Sequence, residues 1–219
     1  MSEMANMNKD VFLQIVAEKI HRPGIEKLLD WLTNQSDFFT APASSRYHSA
    51  YEGGLCEHSL NVYNRVHELY QQEKNAPLTD AEEETLAIVS LFHDLCKTNY
   101  YKVDYKNAKT YDVEKVKAAS RYQVKHDERG DFVWETVPYY SIDDTWSYGH
   151  GECSVDILRD YIVLSQEEKL AIRWHMGFSD VSFKGGSGTV GDAFNKCKLA
   201  VMLHTADLLA TYLDEGENV

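Results

Sequence analysis

Two carboxylates in this sequence stand where a carboxylate is costly. Asp94 follows His93 at the end of the run Leu86-Ala87-Ile88-Val89-Ser90-Leu91-Phe92. Asp207 falls between Leu199-Ala200-Val201-Met202-Leu203-His204-Thr205-Ala206 and Leu208-Leu209. An ionised carboxylate among apolar side chains needs a hydrogen-bond donor, a cationic side chain or a metal ion. Two of them on one chain, with histidines at hand, are most economically explained by shared metal. If the helix through Leu86 continues to Leu95, His93 and Asp94 project about 100° apart. One ion then touches both only from the cleft between them, which leaves the second carboxylate oxygen free to bridge. A buried His–Asp hydrogen bond is the competing reading. The dipeptide alone carries little, since His126-Asp127 sits at an expected turn and reads as a solvated pair.

Further candidates are scattered along the chain. His58 lies near the start of a helix after Gly53-Gly54, His150 between Gly149 and Gly151, and His175 at the end of Leu170-Ala171-Ile172-Arg173-Trp174. Taken singly, each reads as a cap or core histidine as readily as a ligand. Arg46, Tyr47 and His48 precede the first of them and could contact a phosphate or a base. Lys97, one turn after His93, could neutralise charge on a phosphate, or simply sit in solvent near a helix C-terminus. His204, one turn before Asp207, reads as core or as a support behind a ligand.

The order His58, His93-Asp94, His150, His175, Asp207 resembles the ligand order of HD-domain metalloenzymes, a family defined by H…HD…D, whose two-metal members add two histidines before the last Asp. The resemblance spans about residues 46–213. Tyr47-His48-Ser49-Ala50-Tyr51-Glu52-Gly53-Gly54-Leu55-Cys56-Glu57-His58-Ser59 is similar to the opening of HD domains in a bacterial 3′–5′ exoribonuclease group, and His93-Asp94-Leu95-Cys96-Lys97 resembles the HDxxK form of many phosphohydrolases. The resemblance implies that His58, His93, Asp94 and Asp207 hold one ion, and that Asp94 bridges to a second held by His150 and His175. Asp94 and Lys97 are then the candidate catalytic residues, and Lys97 joins Arg46, Tyr47 and His48 as a candidate substrate contact. Imidazole with carboxylate suits one or two ions of Mn, Fe, Co, Ni or Zn better than Ca, and such an ion lowers the pKa of its water to about 7. The expectation is a metal-dependent phosphohydrolase acting on a phosphoester of a nucleotide or short oligonucleotide. The rivals are an HD-type di-iron oxygenase, which shares the ligand set but not the motive for Lys97, and a metal-bound nucleotide sensor with little turnover.

The elements that must position these residues are mainly helical. Apolar spacing predicts helices over about 8–35, broken at Pro23-Gly24, and over Leu55–Gln72. Thr79 with Glu82 and Ser165 with Glu168 are capping boxes, opening the helices toward Leu95 and toward His175. Another helix is expected over His150–Leu164 and a last one over about Asp192–Leu213. Within the Tyr-rich stretch 99–146, residues 120–137 alternate like a two-stranded β-hairpin turning at Asp127–Gly130. It carries Tyr100, Tyr101, Tyr105, Tyr111, Tyr122, Trp134, Tyr139, Tyr140, Trp146 and Tyr148, half of them expected in a small core and the rest free to stack on a base or close an oligomer interface. The expected fold is mainly α: one HD-type bundle of six to eight helices over 1–219, with an N-terminal helical extension (about 1–45) and a small inserted β-hairpin (about 99–146). The Gly- and Ser-rich residues 178–191 read as mobile.

Composition bounds the partners. The 219 residues carry a formal charge of -13 with 43% hydrophobic and 26% charged content, the balance of a globular protein. Such an acidic surface disfavours long nucleic acid, whose affinity comes from Lys and Arg, and leaves a small phosphorylated substrate as the expected partner, with a homodimer as an open option. Met1–Asp10 lacks a basic segment followed by an apolar run, and no stretch approaches a membrane span. Cys56, Cys96, Cys153 and Cys197 form no CxxC pair and read as reduced thiols. A cytoplasmic location is the expectation.

Overall fold

The computed structural model describes residues 1–145, 147, 149–179 and 189–216. It is mostly helical, with a small three-stranded antiparallel sheet. Helix α1 (Glu3–Lys19) is capped by Ser2, whose hydroxyl accepts from the Ala5 amide. It is separated from α2 (Ile25–Asn34) by Gly24, at φ 97°. A Cβ there would lie 1.9 Å from the Tyr161 carbonyl oxygen, so only glycine fits. Phe12 of α1 and Leu28 and Leu32 of α2 are fully buried in the same apolar cluster as Leu55, Leu86, Ile88 and Leu203. The N-terminal helices therefore share the core with the helices that carry the site.

That core is centred on α3 (Gly54–Lys74), α4 (Asp80–Leu91) and α9 (Lys198–Leu209), with α6 (His150–Arg159) and α7 (Gln166–Arg173) packed beside them. Both capping boxes are present, Thr79–Glu82 on α4 and Ser165–Glu168 on α7. From Leu86 to Leu91 every residue of α4 is buried. The helix does not run on to Leu95 as expected. Phe92 leaves helical geometry at φ -121°, ψ 9°, its ring wedged 5.8 Å from that of Phe12. A 3-10 turn at Leu95–Lys97 follows. His93 and Asp94 thus lie in the turn after the helix, and the 100° argument does not apply to them.

The inserted β region also differs from expectation. Strand β1 (Tyr101–Thr110) pairs along its whole length with β3 (Gly130–Ile142), from Tyr101↔Ile142 to Thr110↔Val133. Strand β2 (Lys125–Asp127) lines the other edge of β3, and α5 (Val113–Ala118) connects β1 to β2. The expected turn is present, with Gly130 at φ 119°, but its hairpin is the minor pairing of a three-stranded sheet. Tyr111, Phe132 and Trp134 pack on one another, while Tyr105 and Tyr122 are exposed. Trp146, Tyr148 and residues 180–188 of the Gly- and Ser-rich stretch lie outside the described residues. The single last helix is in fact two, α8 (Thr189–Lys196) and α9, parted by Cys197 in extended geometry; a π turn (Ala210–Asp214) continues α9. This split and α5 bring the helix number above the expected six to eight. No helix of the described residues is long and apolar enough to cross a membrane.

One buried ion pair ties the layers together. The Arg22 guanidinium, in the α1–α2 link, donates to Glu168 at 2.8 Å and to Glu84 at 3.0 Å, and the Glu168 side chain has no solvent exposure. Thr85 donates to the other Glu168 oxygen. Removing the guanidinium leaves the buried Glu168 without a counter-charge, held by the Thr85 hydroxyl and the Ser165 amide, so Arg22→Ala should lower stability by about 3 kcal/mol, read as a shift of the urea midpoint. A loss under about 1 kcal/mol would show that Glu168 finds other donors.

Candidate metal centre

Each centre residue is placed by a local feature of the chain. His58 comes from the second turn of α3, whose start depends on glycine: Gly53 caps it at φ 85°, and a Cβ on Gly54 would meet the Ser49 carbonyl oxygen at 2.0 Å. His93 and Asp94 come from the turn after α4, His175 from the turn after α7, and Asp207 from α9. The two turns use one device. Carbonyls in the last turn of a helix lack an intrahelical amide partner. His93 Nδ1 donates to the Ser90 carbonyl and His175 Nδ1 to that of Ile172, each at 2.7 Å. His58 Nδ1 donates instead to a carboxylate, Glu215 Oε1, at 2.9 Å.

With Nδ1 committed on all three rings, Nε2 is the atom each presents inward. His58 Nε2 lies 3.2 Å from His93 Nε2, 3.3 Å from Asp207 Oδ1 and 3.6 Å from Asp94 Oδ2; His93 Nε2 is 3.4 Å from Asp94 Oδ2. His175 Nε2 is 3.4 Å from Asp94 Oδ1, and neither of these two buried atoms has a hydrogen bond. Neutral imidazoles in these tautomers would set two lone pairs against each other at 3.2 Å, so a positive charge belongs between them. Atoms bound to one ion at about 2.1 Å, at tetrahedral or cis-octahedral angles, lie about 3.0–3.4 Å apart. All but the 3.6 Å from His58 Nε2 to Asp94 Oδ2 fall within that spacing, and the His58–His93–Asp207 and His93–Asp94–His175 groups could each hold a metal ion. His48, His58 and Glu215 also converge, but hydrogen bonds of 2.8 and 2.9 Å already satisfy the atoms involved.

The electrostatics of the cluster run the same way. Burial works against a charged His58, yet bonds to Asp207 and Glu215 outweigh it and raise its pKa to about 9. Asp207 is lowered to about 2, burial being overcome by His58. Asp94 is held well below the carboxylate range against its burial, chiefly by the Lys97 ammonium and His93. Burial lowers His93, whereas His175 rises despite burial because it faces Asp94. These shifts favour positive charge at His58 and negative charge on Asp94 and Asp207, the arrangement of a cluster suited to a cation.

Lys97 is not the solvated lysine of the simpler reading. Its ammonium is 13% exposed and lies 2.6 Å from Asp94 Oδ2. With Arg46, Tyr47, His48, Asp94 and Asp207 it lines a pocket of about 610 Å³, completed by Met176, His204, Leu208, Tyr212 and Glu215. Arg46 stacks over the Tyr47 ring and bonds its hydroxyl, both side chains being exposed at the mouth. His204 Nδ1 donates to the His175 carbonyl at 2.6 Å, backing that ligand turn. His150 opens α6, its Nδ1 lies 3.4 Å from Cys96 Sγ, and burial lowers its pKa while the charges of Asp94, Lys97 and His175 act on it. Among the described residues it joins none of the groups in which three ligand atoms lie within 4.8 Å of one another. Glu215 is the residue that the sequence reading missed, since nothing in Asp214-Glu215-Gly216 marks it off from an ordinary charged tail.

A cation that binds the folded cluster must stabilise the fold. At a hundredfold excess over its Kd the gain is about 2.7 kcal/mol, or roughly 5–10 °C in Tm for a chain of this size. We expect Mn(II), Co(II) or Zn(II) to raise the Tm of chelator-treated protein by that much, and Asp94→Asn to abolish the rise. An unchanged wild-type Tm would sink the assignment. Comparison with protein-family models, with curated proteins and with solved structures finds no match to this chain.

Proposed function

We propose that the chain is a metal-dependent phosphohydrolase of the HD type, cleaving a phosphoester of a nucleotide or short oligonucleotide. The observation that carries this reading is the convergence of three imidazole Nε2 atoms with Asp94 and Asp207 beside a pocket that also presents Lys97 and Arg46. His58, His93, Asp94 and Asp207 would hold one ion, and His175 with the second Asp94 oxygen is placed to hold another. When bound, a divalent ion polarises the phosphoryl oxygens and lowers the pKa of water to about 7.

The chain's own groups do the rest. Lys97 sits against Asp94 and lines the pocket, so its ammonium can shift from carboxylate to phosphoryl oxygen and neutralise the charge that develops there. Arg46 offers a second cation at the mouth and Tyr47 a flat surface for a base. Met176, Leu208 and Tyr212 give part of the lining an apolar character that suits a base or sugar better than a bare inorganic ion. A volume of about 610 Å³ is that of a small-molecule site. With a formal charge of -13 outside it, long nucleic acid is the poorer substrate. Lys97 and Arg46 favour phosphate chemistry over oxygen activation, which has no need of two cations at the pocket.

The test is a screen of mono- and diphosphorylated nucleosides, cyclic dinucleotides and short oligonucleotides with Mn(II) or Co(II) added. Turnover of at least one is expected. Tight binding without turnover would replace the hydrolase by a sensor, and O₂ consumption by the iron-loaded protein would replace it by an oxygenase. On a substrate found in this way, Lys97→Ala should keep the metal and lose about 10²-fold in kcat. Asp94→Ala should lose both metal and activity while far-ultraviolet circular dichroism stays that of the wild type.

A further inference from the structure

The end of the described chain is folded back into the centre. After Leu209 the helix widens into the π turn, and the Glu215 amide closes it by donating to the Ala210 carbonyl at 3.0 Å. Asp214 is gripped by Arg65 of α3 through two parallel N–H···O bonds, Nε to Oδ2 at 2.8 Å and Nη2 to Oδ1. The next side chain, Glu215, is thereby turned inward and is 1% exposed.

Its carboxylate is saturated with donors. Oε1 accepts from His58 Nδ1 at 2.9 Å and Asn61 Nδ2 at 3.0 Å; Oε2 accepts from His48 Nδ1 and the Ser49 hydroxyl, each at 2.8 Å. A carboxylate offers about four acceptor sites, and all are used. Both histidines must therefore carry a proton on Nδ1, and the two rings are held 4.7 Å apart. For His58 this fixes Nε2 as the inward atom. For His48 it leaves Nε2 for the pocket that the ring lines. A carboxylate behind an imidazole also makes the ring a better donor to a metal.

We propose that Glu215 is a positioning residue: through His58 it sets the affinity of the centre for its ion, and through His48 it ties that ligand to the wall of the substrate pocket. The proposal rests on the reading of the cluster as a metal centre. Glutamine at this position keeps the shape but can accept on one side only, so its amide N–H groups would oppose the donors of His48 and Ser49. Arg65→Gln leaves every atom of the cluster in place and loosens only the anchor.

The experiment is Co(II) binding to the full chain by equilibrium dialysis, with the visible absorption of bound Co(II) recorded alongside. For Glu215→Gln, affinity should fall about 10–100-fold and the absorption bands should shift. For Arg65→Gln, affinity should fall several-fold. Wild-type affinity and spectrum in Glu215→Gln would overturn the proposal, as would a lowered Tm with an unchanged spectrum, which is the mark of a merely structural role. If Glu215→Gln does not fold, unaltered affinity in Arg65→Gln overturns it instead. Failure of the wild-type chain to take up Co(II) would bring down the metal reading itself, whereas equal uptake by wild type and variants removes only the role of Glu215.

Discussion

Three histidines have their outer nitrogens occupied, and the rest of the site follows from that. Ser90 and Ile172 each supply a backbone carbonyl at the end of a helix, and Glu215 supplies a carboxylate. Each acceptor fixes one tautomer, so the free nitrogens of His58 and His93 meet at 3.2 Å. Uncharged rings cannot remain so close with lone pairs opposed. The core pays for this arrangement by keeping Asp94 and Asp207 ionised in nearly dry surroundings. The capping boxes, the glycine start of α3 and the abrupt end of α4 are the means by which the sequence brings these groups into one small volume.

The parts of this arrangement that were legible in the sequence are those governed by local chemistry. Asp94 and Asp207 stood out because each is an acid in an apolar run, and Thr79–Glu82 and Ser165–Glu168 because a cap and its partner lie three residues apart. His58, His93 and His175 carried little weight singly, and gained it from their order along the chain. What could not be read depended on distant contacts. The α4 helix stops at Leu91 because Phe92 is drawn against Phe12, eighty positions earlier, although the local residues would continue a helix. Strand β1 was hidden because Lys102, Asp104 and Lys106 read as a polar connection, and it becomes a strand only through β3. Glu215 is legible only once the chain closes, its partners lying more than 150 positions upstream.

Lys97 shows how one residue can serve the fold before it serves any chemistry. Beside Asp94 its ammonium offsets a buried carboxylate, which makes the turn after α4 tolerable in the core. The same position puts it in the lining of the pocket, where Arg46 is the other cation. In the same lining these two cations face Asp94, Asp207 and Glu215, so the pocket presents both signs of charge within a chain that is strongly acidic.

The short list of charges at the centre has a consequence for release. Asp94, Asp207 and Glu215 face the Lys97 ammonium and a His58 ring whose pKa is raised; with a proton counted on that ring, one negative charge is left in excess. Exchanging that proton for one dication brings the inventory to electroneutrality. A centre loaded in that way would keep its ion by coordination alone and would exert little long-range pull on a phosphate. On the proposed hydrolase reading, an anion freed there would be held by short-range contacts alone, with the exposed Arg46–Tyr47 pair among the groups it would pass.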